Sequence, residues 1–372
     1  MSMLEELQLS ANHLSGGLPK SIGLLTRLHE LSLYINQLSG RIPTSLGELS
    51  SLFKLDVSYN SLDGVLSEIH FMKLNNLVVL DLSENLIMFN VSPHWIPLFQ
   101  LNYFRACSCN VGPQFPNWLQ TSTYIIDIHF SNSGIRDSIP QWFENITFHL
   151  GFLDLSENKI GGNLPRMRNP GDIPSWIGKK LSKLRILNLQ SNNFMGKIPP
   201  ELCQNNALQH LNLANNNISG MIPHCIYNLT GMIVTSVDFQ YYASPYEENI
   251  ESYIKALNNL NLSRNLLSGQ IPTRIGNLNK LESLDFSMNL LSGGIPPSLA
   301  TLNFLSYLNL SFNNLSGQIP FGNQLQTLGD PLAIYGGNNE LCGPILVRSC
   351  NKKNLSDTHV SDKDGNNEIQ DF

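Results

Sequence analysis

Two sets of side chains in this sequence could do chemistry. Six cysteines could cross-link or act as nucleophiles, and a scatter of Ser, His and Asp could in principle assemble a hydrolytic site. The cysteines are Cys107, Cys109, Cys203, Cys225, Cys342 and Cys350. An even number is consistent with three disulfides, which would imply an oxidising compartment. Their spacing is not that of a metal site, and neither a metal nor any other cofactor is expected. The serines and aspartates recur with a fixed period, and no nucleophile motif, phosphate-cradling glycine loop or kinase signature stands among them. A sheet of short polar side chains also lacks the desolvated pocket that tunes catalytic pKa values. Enzymatic activity is therefore not expected. A net charge of −6 with no run of Lys or Arg disfavours nucleic acid and anionic membrane surfaces as partners. Binding is the chemistry that remains.

The element that must position any binding residue is legible between Leu278 and Pro320. Leu278, Leu281, Leu284, Phe286, Asn289, Leu291, Gly293, Ile295 and Pro296 return 24 residues later as Leu302, Leu305, Leu308, Leu310, Asn313, Leu315, Gly317, Ile319 and Pro320. A period in this range marks a solenoid whose units bury their apolar faces only by stacking. In Leu284-Asp285-Phe286 apolar and polar residues alternate, which predicts a short strand with one face buried, and stacked coils would align such strands into a parallel sheet. The Asn three residues on is too polar to bury unpaired, so it is expected to form one rung of a ladder bonded to backbone. Gly and Pro then turn the chain.

The ladder position falls at Asn12, Asn36, Asn60, Asn85, Cys109, Ser133, Asn158, Asn192, Asn216, Asn265, Asn289 and Asn313, which makes twelve coils. At about 4.8 Å per strand the sheet should run for roughly 50 Å, long enough for an extended ligand. Residues 1–230 read as about nine coils and 257–320 as three more. Two intervals are long. The first excess lies near 165–173, either an exposed Pro- and Gly-containing loop or the trace of lost repeats. The second, 231–256, is a Tyr-rich island containing Tyr241, Tyr242 and Tyr246, either a protruding binding element or padding. Cys203 and Cys225, 22 residues apart, fall on adjacent coils at nearly the same angle and could bridge. Cys109 reads as a small buried substitute for the ladder Asn, leaving Cys107 exposed.

The run Leu-x-x-Leu-x-Leu-x-x-Asn-x-Leu-Ser-Gly-x-Ile-Pro resembles the plant extracellular subfamily of leucine-rich repeats. The stretch Asn338-Asn339-Glu340-Leu341-Cys342-Gly343-Pro344 followed by Cys350 resembles the carboxyl-terminal cap of the plant receptor-like proteins, the kinase-lacking kind associated with microbial or developmental signals. The resemblance implies an α/β solenoid, a right-handed leucine-rich-repeat superhelix with a concave parallel β-sheet. It also implies a cap over 321–350 with a Cys342–Cys350 disulfide, and a polar spacer over 351–372 that precedes a membrane span in the family. Further, it implies an extracellular peptide or protein ligand at the island and adjoining coils, and a co-receptor kinase meeting the last coils from Leu281 to Pro320. The location implied is the outer side of the plasma membrane. The chain opens inside a repeat without a charged and apolar leader and holds no run of 18 apolar residues, which reads as the carboxyl-terminal part of an ectodomain, truncated at its front. Two alternatives compete: a secreted inhibitor similar to the polygalacturonase-inhibiting proteins, whose uninterrupted repeats the island argues against, and a nonfunctional gene fragment.

On the sheet's wet face, the positions flanking the strand leucines form lanes. The middle lane is mostly Asp or Asn, which suits crowded parallel strands. The outer lanes vary. Tyr34, Tyr103, Arg105, His129, Phe152 and His210 are the contact candidates, because aromatic residues and Arg dominate interface energies. Of the Asn-x-Ser/Thr sequons, those the repeat itself writes carry little weight, which leaves Asn90, Asn145 and Asn228 as glycosylation candidates. Trp95, Trp118, Trp142 and Trp176 each follow a Pro by two residues, in a slot that holds Ser45 or Ser298 elsewhere. They would form either an exposed ridge or packing for the outer loops.

Overall fold

The computed structural model describes residues 3–146, 148–161, 171–233 and 258–350. The island tyrosines Tyr241, Tyr242 and Tyr246, most of the loop near 165–173, and the spacer 351–372 lie outside the described residues.

Twelve short strands form one parallel sheet in sequence order. They are β1 Glu6–Gln8, β2 Glu30–Ser32, β3 Lys54–Asp56, β4 Val79–Asp81, β5 Tyr103–Arg105, β6 Asp127–His129, β7 Phe152–Asp154, β8 Ile186–Asn188, β9 His210–Asn212, β10 Asn259–Asn261, β11 Ser283–Asp285 and β12 Tyr307–Asn309. Each strand pairs in register with the next, so the central Leu31, Leu55, Leu80, Phe104, Ile128 and Leu153 make one buried row. The opposite side of each coil carries short, mostly 3-10 helices entered from a proline, as at Pro43 before Thr44–Glu48 and Pro296 before Pro297–Thr301. Proline suits this position because it fixes its own φ and gives up an N–H the helix start would leave unpaired. Neighbouring helices approach closely: a Cβ on Gly47 would lie 2.5 Å from the Ile69 carbonyl oxygen.

The rungs are as the period implies. Asn289 donates through Nδ2 to the carbonyls of Leu262, Phe286 and Ser287 at 3.0, 3.2 and 3.1 Å and accepts the Leu267 N–H at 3.0 Å. The residue before every ladder position takes left-handed dihedrals, from Tyr59 at φ 51° to Ser108 at φ 60°. That conformation costs an L-residue about 1–2 kcal/mol, so the side-chain bonds of the rung are what hold it in place. Cys109 and Ser133 are partial rungs. Their Sγ and Oγ donate to the preceding coil's carbonyls, at Leu82 and Ala106 respectively, both at 3.1 Å.

The stack ends in a coil that the repeat pattern does not reveal. In place of a thirteenth strand stands the helix Pro331–Tyr335, and the N–H groups of Leu310 and Phe312 donate to Ile334 and Gly336 carbonyls at 2.8 and 2.7 Å. Asn338 is a further rung, accepting the Leu315 N–H at 3.0 Å and donating to Leu310 and Tyr335 carbonyls. The strand Glu340–Cys342 pairs with Asn314–Gln318, and a Cys342–Cys350 disulfide closes the end. A second disulfide joins Cys203 to Cys225 on adjacent coils, with Cα atoms 5.7 Å apart. The tryptophans form no exposed ridge: Trp118 is buried and lies 5.5 Å from Trp95, while Trp142 and Trp176 both pack on Phe143.

Candidate functional site

The middle lane of the sheet has a structural job that explains its composition. Asp56 Oδ1 accepts the Ser58 N–H at 3.0 Å, Asp81 that of Ser83 at 2.9 Å, Asp285 that of Ser287 at 2.9 Å and Asn309 that of Ser311 at 3.1 Å. The short acceptor caps the turn that leads into the rung. Crowding between strands is thus not the main reason for Asp and Asn here.

At β1 and β2 this place in the lane holds Gln8 and Ser32. Two adjacent strands depart further: there β5 has Arg105 and β6 has His129, and in the same two coils Cys109 and Ser133 stand where the ladder should hold Asn. The long side chains make new contacts across strands. Arg105 donates to Asp127 of β6 from Nε at 3.3 Å and from its terminal nitrogen at 2.5 Å. His129 Nε2 lies 3.2 Å from Asp154 Oδ2 on β7, which also accepts Asn188 Nδ2 at 2.9 Å, and its ring sits 5.3 Å from that of Phe152. The register places Tyr103, Asp127 and Phe152 side by side in the neighbouring lane. The structure therefore gathers four of the sequence candidates, Tyr103, Arg105, His129 and Phe152, into one half-buried patch on β5–β7. His210 lies two strands beyond, past Ile186, and Tyr34 three strands before Tyr103. Asp127 and Asp154, which hold the two cations in place, were not singled out from sequence. The signal was available in the register, since Arg105 and Asp127 are 22 residues apart and lie on paired strands.

The charges in this patch are shifted by their surroundings. Burial alone would push His129 down, but the hydrogen bond and charge of Asp154, with Cys107 close by, hold it well above the ordinary imidazole value. Burial would raise Asp154, yet the hydrogen bond and charge of His129 and the Ser156 hydrogen bonds hold it below the usual carboxylate range. The pair is therefore ionised on both sides at neutral pH. His210 is lowered by burial, against the opposing charge of Asp154. On β3, burial and the adjacent charge of Asp81 push Asp56 up to about 6.

Cys107 is not exposed as expected: its residue surface is 6% accessible. It follows β5 in the outer lane, and its sulfur turns toward β6, 3.7 Å from the His129 carbonyl oxygen. Cys109 is buried in the ladder position, and burial pushes its thiol up to about 12. The sequon residues Asn90, Asn145 and Asn228 are all exposed, on the loops and short helices away from the twelve-stranded sheet. Among the described residues no group of three or more His, Cys, Asp or Glu could hold a metal ion, and no helix is long and apolar enough to cross a membrane.

These features define a leucine-rich-repeat protein, and the models of that repeat family match residues 182–232, 3–25, 256–278, 280–302 and 304–327. Within that class the curated relatives that the chain matches are plant receptor-like proteins. It is similar to the receptor-like protein EIX2 of Solanum lycopersicum, 40% identical over 136 residues that make up 37% of this chain and 12% of that protein. The chain thus spans about an eighth of the length of that relative. Among solved structures it resembles the plant peptide hormone receptor RGFR1 in complex with RGF2, at 26% identity and a TM-score of 0.72, covering 92% of this chain and 52% of that one. It also resembles the Arabidopsis receptor kinase HAESA in complex with the peptide hormone IDA and the co-receptor SERK1, at 25% identity and a TM-score of 0.53, covering 92% and 62%.

Proposed function

We propose that this chain is part of the extracellular ligand-binding region of a plant cell-surface receptor-like protein, acting by binding and not by catalysis, and that β5–β7 grip an extracellular peptide or protein. One observation carries the reading. In β5 and β6 the chain gives up both the Asx residue that caps the turn on β3, β4 and β7–β12 and the Asn that every other coil keeps in the ladder, and gains a cation pair, Arg105 and His129, held by buried carboxylates between Tyr103 and Phe152. Local departures from a structural template are expected at functional sites. Aromatic rings beside anchored cations are also the composition of binding hot spots. In this reading the island, with Tyr241, Tyr242 and Tyr246, extends the ligand contact, and the exposed Phe304, Tyr307 and Phe312 of the last coils meet a membrane co-receptor kinase. The domain boundaries 231–256, 257–320, 321–350 and 351–372 then separate ligand contact, co-receptor contact, cap and spacer. Asn90, Asn145 and Asn228 carry glycans clear of the sheet.

The test is selection of binders from a random-peptide display library on the glycosylated, secreted protein, followed by binding to an Arg105→Ala/Phe152→Ala variant. Selected peptides should lose at least tenfold in affinity on the variant. A population that binds the variant equally well would place recognition elsewhere.

A further inference from the structure

The four sequons that the repeat itself writes fall at two different places in a coil, and the structure separates them. Asn261 and Asn309 lie in the middle lane, on β10 and β12. Asn217 and Asn314 come directly after the ladder residues Asn216 and Asn313, at the rim where the chain leaves the large sheet. A glycan is bulky and strongly hydrated, so the folded chain tolerates it only where the amide stands free with open solvent beyond it.

The lane positions offer no such space. Asn261 Oδ1 accepts the Ser263 N–H at 3.0 Å and the Ser263 hydroxyl at 2.8 Å, and Asn309 holds Ser311 in the same way at 3.1 and 2.7 Å. These bonds fix the amide plane, and the hydroxyl of each sequon is buried. Asn261 is half-buried, with Asn212 on one paired strand and Asp285 on the other, and Asn309 stands beside Asp285. Neighbouring strands are about 4.8 Å apart, less than the width of a substituted pyranose ring, so a sugar there would lie over adjacent polar side chains and strip their water. At the rim the opposite holds. Asn217 and Asn314 are exposed, and among the described residues neither side-chain amide makes a hydrogen bond.

The rim also gives the sugars something to cover. Positions 217, 266, 290 and 314 are the same place in four successive coils, and the two between the asparagines are Leu266 and Leu290, 49% and 58% exposed. In the two coils before them the slot holds Lys159 and Asn193. The rim strands Ser219–Met221, Leu266–Gly269, Leu290–Gly293 and Asn314–Gln318 pair in parallel, which sets the four positions in one row of roughly 15 Å. We propose that Asn217 and Asn314 carry N-linked glycans whose innermost sugars cover Leu266 and Leu290, and that Asn261 and Asn309 stay bare. The donor is the lipid-diphosphate-linked oligosaccharide of a secretory pathway. The Asn Nδ2 attacks the anomeric carbon, a carbon–nitrogen bond forms, and the bond from that carbon to the diphosphate oxygen breaks. The transferase's base takes the amide proton as the lipid diphosphate leaves. Transfer meets the chain before it folds, so all four sequons are offered, and folding then selects: a chain modified in the lane packs poorly and is not exported, whereas a rim glycan leaves every rung intact.

The test uses the whole chain, secreted from cells that keep high-mannose glycans. Release of the glycans by a peptide N-glycosidase in heavy-oxygen water marks each occupied Asn, and mass spectrometry reads the sites one by one. Most copies should be marked at Asn217 and at Asn314, and at least tenfold fewer at Asn261 and Asn309. Absence of the mark from Asn217 or Asn314, or equal marking in the lane, would overturn the assignment. The covering role is read with the apolar dye bis-ANS. Asn217→Gln/Asn314→Gln should bind at least twice as much dye as native protein trimmed by an endoglycosidase to one sugar per site, and adding Leu266→Ser/Leu290→Ser should remove the difference. Equal dye binding by the trimmed protein and the Gln variant, or a difference that survives the leucine substitutions, would overturn that role. Should the Gln variant not be secreted, protein stripped fully by the N-glycosidase takes its place in the same comparison, with the same leucine control.

Discussion

Replacing Asn289 with Ala isolates what one rung of the ladder is worth. Its amide makes four hydrogen bonds, yet the four are not equal once their partners are followed. The Leu262 carbonyl also accepts from Asn265, that of Phe286 from Asn313, and that of Ser287 from the Arg264 N–H, so each keeps a donor after the substitution. The Leu267 N–H has only Asn289 Oδ1, and Leu267 is 1% exposed, so water cannot replace it. One orphaned buried donor predicts a loss of about 1–3 kcal/mol, toward the upper end because the left-handed dihedrals at Met288 lose their restraint as well. The same change at Asn36 orphans the N–H of Leu14, which is 39% exposed and can be hydrated, so it should cost well under half as much. The assay is urea denaturation of both variants, with amide hydrogen exchange at Leu267 and Leu14 as the local readout. Equal costs at the two positions, or a loss below about 0.5 kcal/mol at Asn289, would refute the view that solvent access sets each rung's contribution.

Other substitutions probe the concave patch and the staples. Asp154→Asn removes the carboxylate that holds His129 charged, so the His129 titration followed by NMR should fall from well above the ordinary value to at or below it; an unmoved midpoint would refute the pairing. For the intact pair, the stability due to His129 is fully present below the unfolded pKa of about 6.5 and is lost as pH rises through its raised folded pKa. The stability due to Asp154 is present above about 3.9 and is lost as pH falls through its depressed folded pKa, so the pair's combined contribution peaks between these limits. Arg105→Ala leaves the buried Asp127 carboxylate without its cation and should lower Tm by several degrees, whereas the double variant Arg105→Ala/Asp127→Ala should recover much of the loss. Cys203→Ser/Cys225→Ser opens a bridge across 22 residues and should destabilise the chain by about 3 kcal/mol in denaturant unfolding.

The architecture was legible because a 24-residue period fixes the burial of each leucine and the place of each rung, and parallel pairing then follows in register. Three features were not. Asn338 keeps the ladder interval, 25 residues after Asn313, but the leucines around it are replaced by a helix, so the apolar pattern gives no sign of a further coil. The Asx lane looked like a packing preference because its hydrogen bonds run to a backbone N–H two residues on, and sequence spacing does not register those. Cys107 looked exposed because its lane lies on the side of the strands away from the leucines, yet that lane is closed over along most of the sheet, with Ser58, Ser83, Ser156 and Ser287 buried as well. Of the two readings for the tryptophans, packing holds at Trp118, which is buried against the strand residues Phe89 and Phe104 and against Phe99. The contact candidates Tyr103, Arg105, His129 and Phe152 were readable as exceptions to a lane, while their anchoring carboxylates required knowing which strands touch.

The helix Pro331–Tyr335 bears on how copies of this molecule coexist at high concentration. An open parallel sheet offers its terminal strand as a template for another chain, and long arrays of near-identical units are well suited to such mismatched growth. At β12 the template is spent: the N–H groups of Leu310 and Phe312 point at a helix turn whose own geometry cannot propagate a strand. The ordered end of the array thus offers no strand for a second chain to extend on that side.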